Sequence, residues 1–157
     1  MNKLKILNKN QKREIEDKLN EQFGIKEIPG QIVMKGKEKL FLFSGSFTNR
    51  EIRKLEELTI IERIGIYFAK IDENSNSLRL SIEGVQILKD QINKNIFEIP
   101  EGLVEGWMKG QELNIKTGKK GFLIMKYKND FLGSGKASEE KIGNFIPKVR
   151  RLREKNN

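Results

Sequence analysis

Eight residues near the end of the chain, Ile146-Pro147-Lys148-Val149-Arg150-Arg151-Leu152-Arg153, have the composition of a phosphate-binding segment. Arginine dominates here, although lysine dominates the rest of the chain. A planar guanidinium grips phosphate through two parallel hydrogen bonds and stacks on bases, which an ammonium cannot do. Ile146, Val149 and Leu152 recur every third residue, so they are expected to anchor the segment. Lys148, Arg150, Arg151 and Arg153 would then be held toward a polyanion. Lys126 and Lys136, upstream on apparent strands, complete the expected polyanion-binding set. The competing reading is a solvated basic tail.

The wider charge distribution points the same way. Residues 106–157 carry 13 Lys/Arg against 5 Asp/Glu, a net +8 of the +9 on all 157 residues. Residues 1–105 carry 18 against 17. A split of this kind implies that the C-terminal part meets a polyanion and the N-terminal part does something else. Phe122, Leu123, Ile124 and Met125 interrupt the cations, which marks a folded basic surface and not a disordered tail. The alternative is charge that merely keeps a small protein soluble.

Other chemistry is thinly supplied. The chain has no cysteine and no histidine, which removes thiolate nucleophiles, disulfides, thiolate-ligated zinc and the commonest general base. No enzymatic activity, cofactor or metal is expected. Asp72, Glu73, Asp90 and Asp130 would have to serve an Asp- and Lys-based enzyme, but they fall in turns or at element ends without paired spacing. Gly133-Ser134-Gly135-Lys136-Ala137-Ser138 superficially matches a phosphate loop. Such a loop needs Gly where Asp130 stands and Ser or Thr where Ala137 stands, and a dinucleotide fingerprint needs Gly at Ser138. The glycines are read instead as letting a strand bend. Trp107 is a base-stacking candidate. It lies beside Leu103, Val104 and Met108, and is read as core, as are Phe122, Phe131 and Phe145.

These residues must be positioned by a chain that is 36% hydrophobic and 34% charged, enough for one large domain or two small ones. Ile15, Leu19 and Phe23 predict a helix over residues 10–23 that Gly24 terminates. Strands are expected at 31–35 and 40–44, and a helix from Thr48, where Thr48 and Glu51 match a capping box. A hairpin is expected from 64–71 and 78–82, then a helix over 85–92. The second half reads as a strand at 96–99, a short helix over 101–108, and strands at 112–116, 121–128 and 131–136. The fold class is therefore α+β: an N-terminal α/β domain over residues 1–92 and a small β-barrel-like domain over 93–157. No apolar run suits a signal peptide or a membrane span, so a cytoplasmic protein without membrane contact is expected.

Ile64-Gly65-Ile66-Tyr67-Phe68-Ala69-Lys70 with Leu78-Arg79-Leu80-Ser81-Ile82 resembles the strand pair of the pre-PUA domain found in Nip-type large-subunit ribosome biogenesis factors. Gly110 after Trp107-Met108, then Gly121-Phe122-Leu123-Ile124, then Asn129-Asp130-Phe131-Leu132-Gly133-Ser134-Gly135, resemble the PUA domain itself. Gly135-Lys136 with Asn144-Phe145-Ile146-Pro147-Lys148-x-Arg150-Arg151 is also similar to the PUA-like tail of some RNA cytosine-C5 methyltransferases. The resemblance spans about residues 50–153. It implies a pre-PUA-like N-terminal domain with a protein partner, a C-terminal pseudo-barrel that binds RNA (rRNA or tRNA), and no catalysis. It also implies RNA contact by Lys148, Arg150, Arg151 and Arg153.

The expected function is that of a non-enzymatic RNA-binding protein in rRNA maturation or ribosome biogenesis. Two alternatives also bind nucleic acid: a standalone specificity module for a separately encoded RNA-modifying enzyme such as a cytosine-C5 methyltransferase, and a DNA-binding protein.

Overall fold

Asn8 starts the first helix. Its side chain accepts from the Gln11 backbone N–H at 2.9 Å, while the Gln11 side chain accepts from the Asn8 N–H at 3.0 Å. This reciprocal box satisfies donors that a helix start leaves open. Helix α1 then runs Lys9–Phe23 and buries Ile15, Leu19 and Phe23, the expected stripe. Gly24 ends it at φ 81°, a left-handed conformation that favours glycine, and a side chain there would overlap Asn93.

The computed structural model describes residues 3–59, 61 and 64–153. In it, five strands form one antiparallel sheet in sequence order: β1 (Leu4–Ile6), β2 (Gln31–Lys35), β3 (Lys39–Phe43), β4 (Ile66–Ile71) and β5 (Leu78–Leu80). Strand β1 has no counterpart among the predicted elements. Three residues are too few for alternation to register, and its place is set from afar, by pairing with β2 and by Asn49, whose side chain accepts from the Ile6 N–H at 2.8 Å. Helix α2 (Asn49–Leu58) carries the predicted capping box of Thr48 and Glu51. It buries Ile52 against Leu4, Ile6, Val33 and Phe41 on one sheet face. Helix α1 covers the other face, against Ile32, Leu40, Leu42 and Phe68.

Ser81 caps helix α3 (Ile82–Leu88), its hydroxyl accepting from the Gly84 N–H at 3.0 Å. The helix thus begins three residues before the predicted start, and a 3-10 turn at Lys89–Gln91 replaces its predicted end. A second sheet follows, in the order β6 (Ile96–Glu98), β7 (Gly121–Tyr127), β8 (Asp130–Ala137) and β9 (Ile142–Asn144), with α4 (Val104–Met108) between β6 and β7. Strands β6 and β7 are parallel and the other pairs antiparallel. The strand expected at 112–116 does not form: Leu113 alone bridges Ile142. Its neighbours Glu112, Asn114 and Lys116 are exposed, and the three-residue β9 holds no more of the segment than that one bridge.

Trp107 is fully buried among Ile99, Leu123, Met125, Ile142 and Ile146, which makes it core as expected. The Gly133-Ser134-Gly135 stretch crosses directly over it. A Cβ at Gly135 would lie 2.6 Å from Ile142 Cγ2 and 3.0 Å from both Met125 Sδ and Trp107 Cη2. Gly135 therefore serves close packing inside β8, while Gly133, at φ +89° where the β7–β8 register shifts, provides the expected bend. The two sheets also share a core: Phe122 and Ile124 of β7 pack with the residues that α1 and the first sheet bury. The buried Ser134 hydroxyl donates to the Leu80 carbonyl at 2.7 Å, and Gln86 donates to the Phe131 carbonyl at 2.9 Å, closing the seam with polar contacts.

Candidate nucleic-acid interface

The C-terminal segment is positioned by its backbone and its arginines. After Pro147 the chain makes a 3-10 turn at Lys148–Arg150, and the Leu152 N–H donates to the Met108 carbonyl at 2.8 Å. Arg151 folds back, its Nε donating to the Ile146 carbonyl at 2.9 Å while its side chain lies over Gly110. A Cβ at Gly110 would occupy that space, and its φ of +94° further favours glycine. Arg150 forms an ion pair with Glu83 of α3. Lys148 and Arg153 are exposed and have no ion-pair partner among the described residues.

This corrects the expected apolar anchoring. Ile146 is buried at 3%, but Val149 is 88% exposed and Leu152 is 52% exposed. The 3-10 turn leaves Val149 in solvent, so hydrogen bonds and an ion pair hold the segment where apolar contacts were expected. Two of the four predicted cations are thereby committed to structure, and two face outward.

The remaining predicted cations lie on strands. Lys136 on β8 is exposed, with its ammonium 5.4 Å from the Phe122 ring centroid and 3.7 Å from the Asp72 carboxylate. Lys126 on β7 is half-buried and stands 5.8 Å from the Phe131 ring, away from the cleft that Lys136 borders. That cleft, about 120 Å³, lies in the seam and is lined by Lys70, Asp72, Arg79, Phe122, Lys136 and Phe145. Arg79, on the edge strand β5, lies flat enough on Phe145 to place its guanidinium carbon 4.3 Å from the ring centroid. Phe145 in turn meets Phe122 edge-on at 5.9 Å. A second cavity of about 100 Å³ shares the Arg79–Phe145 wall and extends to Glu83 and Pro147.

Asp72 is the one acid of the cleft. The Ser75 hydroxyl, donating at 2.6 Å, holds its carboxyl below the usual carboxylate range, against the opposing effect of partial burial and with help from Lys136. Sequence reasoning did not single out Arg79, Lys70 or the cleft. The available signal was Arg79 itself, a lone arginine between two core leucines of a lysine-rich chain, but only packing of the second sheet against β5 brings Phe145 over it. The arrangement of cations beside aromatic faces suits binding of a phosphate-bearing polymer. Among the described residues no cluster of three acid, His or Cys side chains suits a metal ion, and no helix is long and apolar enough to cross a membrane.

Fold and site together define an α+β protein with a PUA-type C-terminal domain. Residues 94–152 match the model of the methyltransferase RsmF PUA domain, which bears out the PUA-like resemblance to the methyltransferase side. The PUA domain is a general RNA-binding module, so the match supports RNA binding by this half. No curated protein matches the chain.

Proposed function

We propose that this chain is a non-enzymatic RNA-binding protein of rRNA maturation that acts in the cytoplasm, with residues 93–157 as its RNA-contacting domain and 1–92 as a partner-facing domain. The observation that carries the reading is coincidence. The PUA-type match covers the half in which the positive surplus lies, and Lys148 and Arg153 project from that half without acid partners among the described residues. Phosphate contacts supply most of the affinity, and RNA shape, more than base edges, supplies the selectivity. The similarity of β4 and β5 to the pre-PUA strand pair supports the ribosome-biogenesis assignment.

The salt dependence of RNA affinity tests this reading. With about four to six phosphate contacts, log K against log salt has a slope of roughly −3 to −5. A slope near zero means the basic face only solubilises. Duplex DNA at the same salt serves as the competitor that separates an RNA binder from a DNA binder.

A second reading is favoured by one observation: the matched PUA domain belongs to a methyltransferase. On that reading the chain is a specificity module for a separately encoded RNA-modifying enzyme. Affinity capture decides between them, since pre-ribosomal particles support the first and a methyltransferase the second.

A further inference from the structure

Three successive strand pairings of the first sheet set like charges directly opposite one another. Lys35 of β2 faces Lys39 of β3, Lys39 faces Lys70 of β4, and Lys70 faces Arg79 of β5. Direct partners project from the same side of a sheet, so these four side chains form one transverse row. With strands ~4.8 Å apart, the row is roughly 14 Å long.

Such an arrangement is destabilising, because like charges directly opposite repel. Three acids, Glu38, Glu73 and Asp72, line the depressions beside the row, and others stand on the helices. Glu14, Glu16, Asp17 and Glu21 are on α1, and Glu51, Glu56 and Glu57 are on α2. Within the row, Glu38 reaches Lys70 at 3.1 Å. Lys39 is exposed and Arg79 is half-buried on the face of Phe145, and neither has an ion-pair partner among the described residues. Both helices are balanced, with four Lys/Arg against four Asp/Glu on α1 and three against three on α2, so their acids are matched by their own cations.

The row is continuous with two depressions. An open groove of about 670 Å³ runs along it and is also walled by Lys3, Lys5 and Lys37 and by the acids Glu38 and Glu73. The seam cleft lies at its far end, where Arg79 and Lys136 of the PUA-type half meet. Lys70 lines both.

We propose that Lys35, Lys39, Lys70 and Arg79 form a phosphate track that carries the RNA backbone from the PUA-type half across the N-terminal sheet. This rests on the RNA-binding reading above and adds the N-terminal half to the footprint. Regularly spaced ammonium groups neutralise successive phosphates and release their counterions. Arg79, immobilised on an aromatic ring, offers its N–H edges to a phosphate without further loss of side-chain freedom. The track positions RNA and reads no bases.

The test uses the full chain, a fluorescently labelled structured RNA and a salt series. K39Q and R79Q combined should weaken binding about tenfold or more and make the salt slope shallower by about 2. K39Q alone should leave the melting temperature unchanged or raise it, since it relieves repulsion from both neighbours. If R79Q lowers the melting temperature by loosening Phe145, K35Q with K39Q replaces the pair and must give the same loss of affinity and slope. Parent-like binding by the track variants, while K148Q with R153Q is weakened, overturns the track and leaves the RNA-binding reading standing. Absence of salt-dependent RNA binding by the parent protein overturns both.

Discussion

Neighbouring cations in the C-terminal segment do different work, and substitutions should separate them. Lys148 and Arg153 are exposed and have no ion-pair partner among the described residues, so K148Q with R153Q should lower RNA affinity by about tenfold and make the salt slope shallower by about 2 at unchanged melting temperature. Arg151 is committed to the Ile146 carbonyl, so R151A should cost about 1–2 kcal/mol of stability, read by urea unfolding. Charge reversal at Arg150 would set a carboxylate against Glu83, so a loss of RNA binding by R150E would confound contact with folding. At Gly135, alanine has no space between Ile142, Met125 and Trp107, and overpacking there should cost about 1–3 kcal/mol. A G135A variant as stable as the parent would contradict the packing of β8 over Trp107.

At the scale of elements, the turn between β4 and β5 couples pH to the seam. The Asp72 carboxyl is held below its ordinary range, chiefly by the Ser75 hydroxyl and secondarily by Lys136. A group depressed in the folded state adds stability that is present above its unfolded pKa, near 4, and is lost as pH falls through the folded value. The hairpin and its contact with β8 should therefore loosen below about pH 4. S75A should move the Asp72 titration upward, as followed by carboxyl NMR shifts, and so shrink the stability that is lost on acidification. An unchanged Asp72 titration in S75A would remove Ser75 as the cause.

At the scale of the whole molecule, the two sheets are joined by a shared core. Phe122 and Ile124 belong to the second sheet by hydrogen bonding and to the first core by packing. The full chain should therefore unfold in a single transition, with calorimetric and van't Hoff enthalpies in agreement. A fragment of residues 94–157 would expose that apolar face and should melt far below the parent, if cooperatively at all. A fragment that melts near the parent temperature would mean the seam contributes little. RNA footprinting bears on the same scale: if the proposed track carries RNA, protections fall on both halves of the chain, and protections confined to residues 94–152 overturn it.

Much of this protein is written locally. The stripe of Ile15, Leu19 and Phe23, the Thr48–Glu51 box, the stop at Gly24 and the apolar runs of β2, β3 and β7 are each decided by neighbours a few residues away, so the α+β class and most elements could be read directly. Net charge is additive along the chain, so the basic C-terminal half was legible too. Strand β1, the single bridge at Leu113 and the exposure of Val149 were not, because each depends on a partner distant in sequence. The same holds for the site. Arg79 becomes a poised cation only when Phe145 packs over it, 66 positions later, and the row from Lys35 to Arg79 exists only once strand register is set. Composition records how many charges a chain carries; register and packing, which act through space and not along the chain, decide which of them stand together.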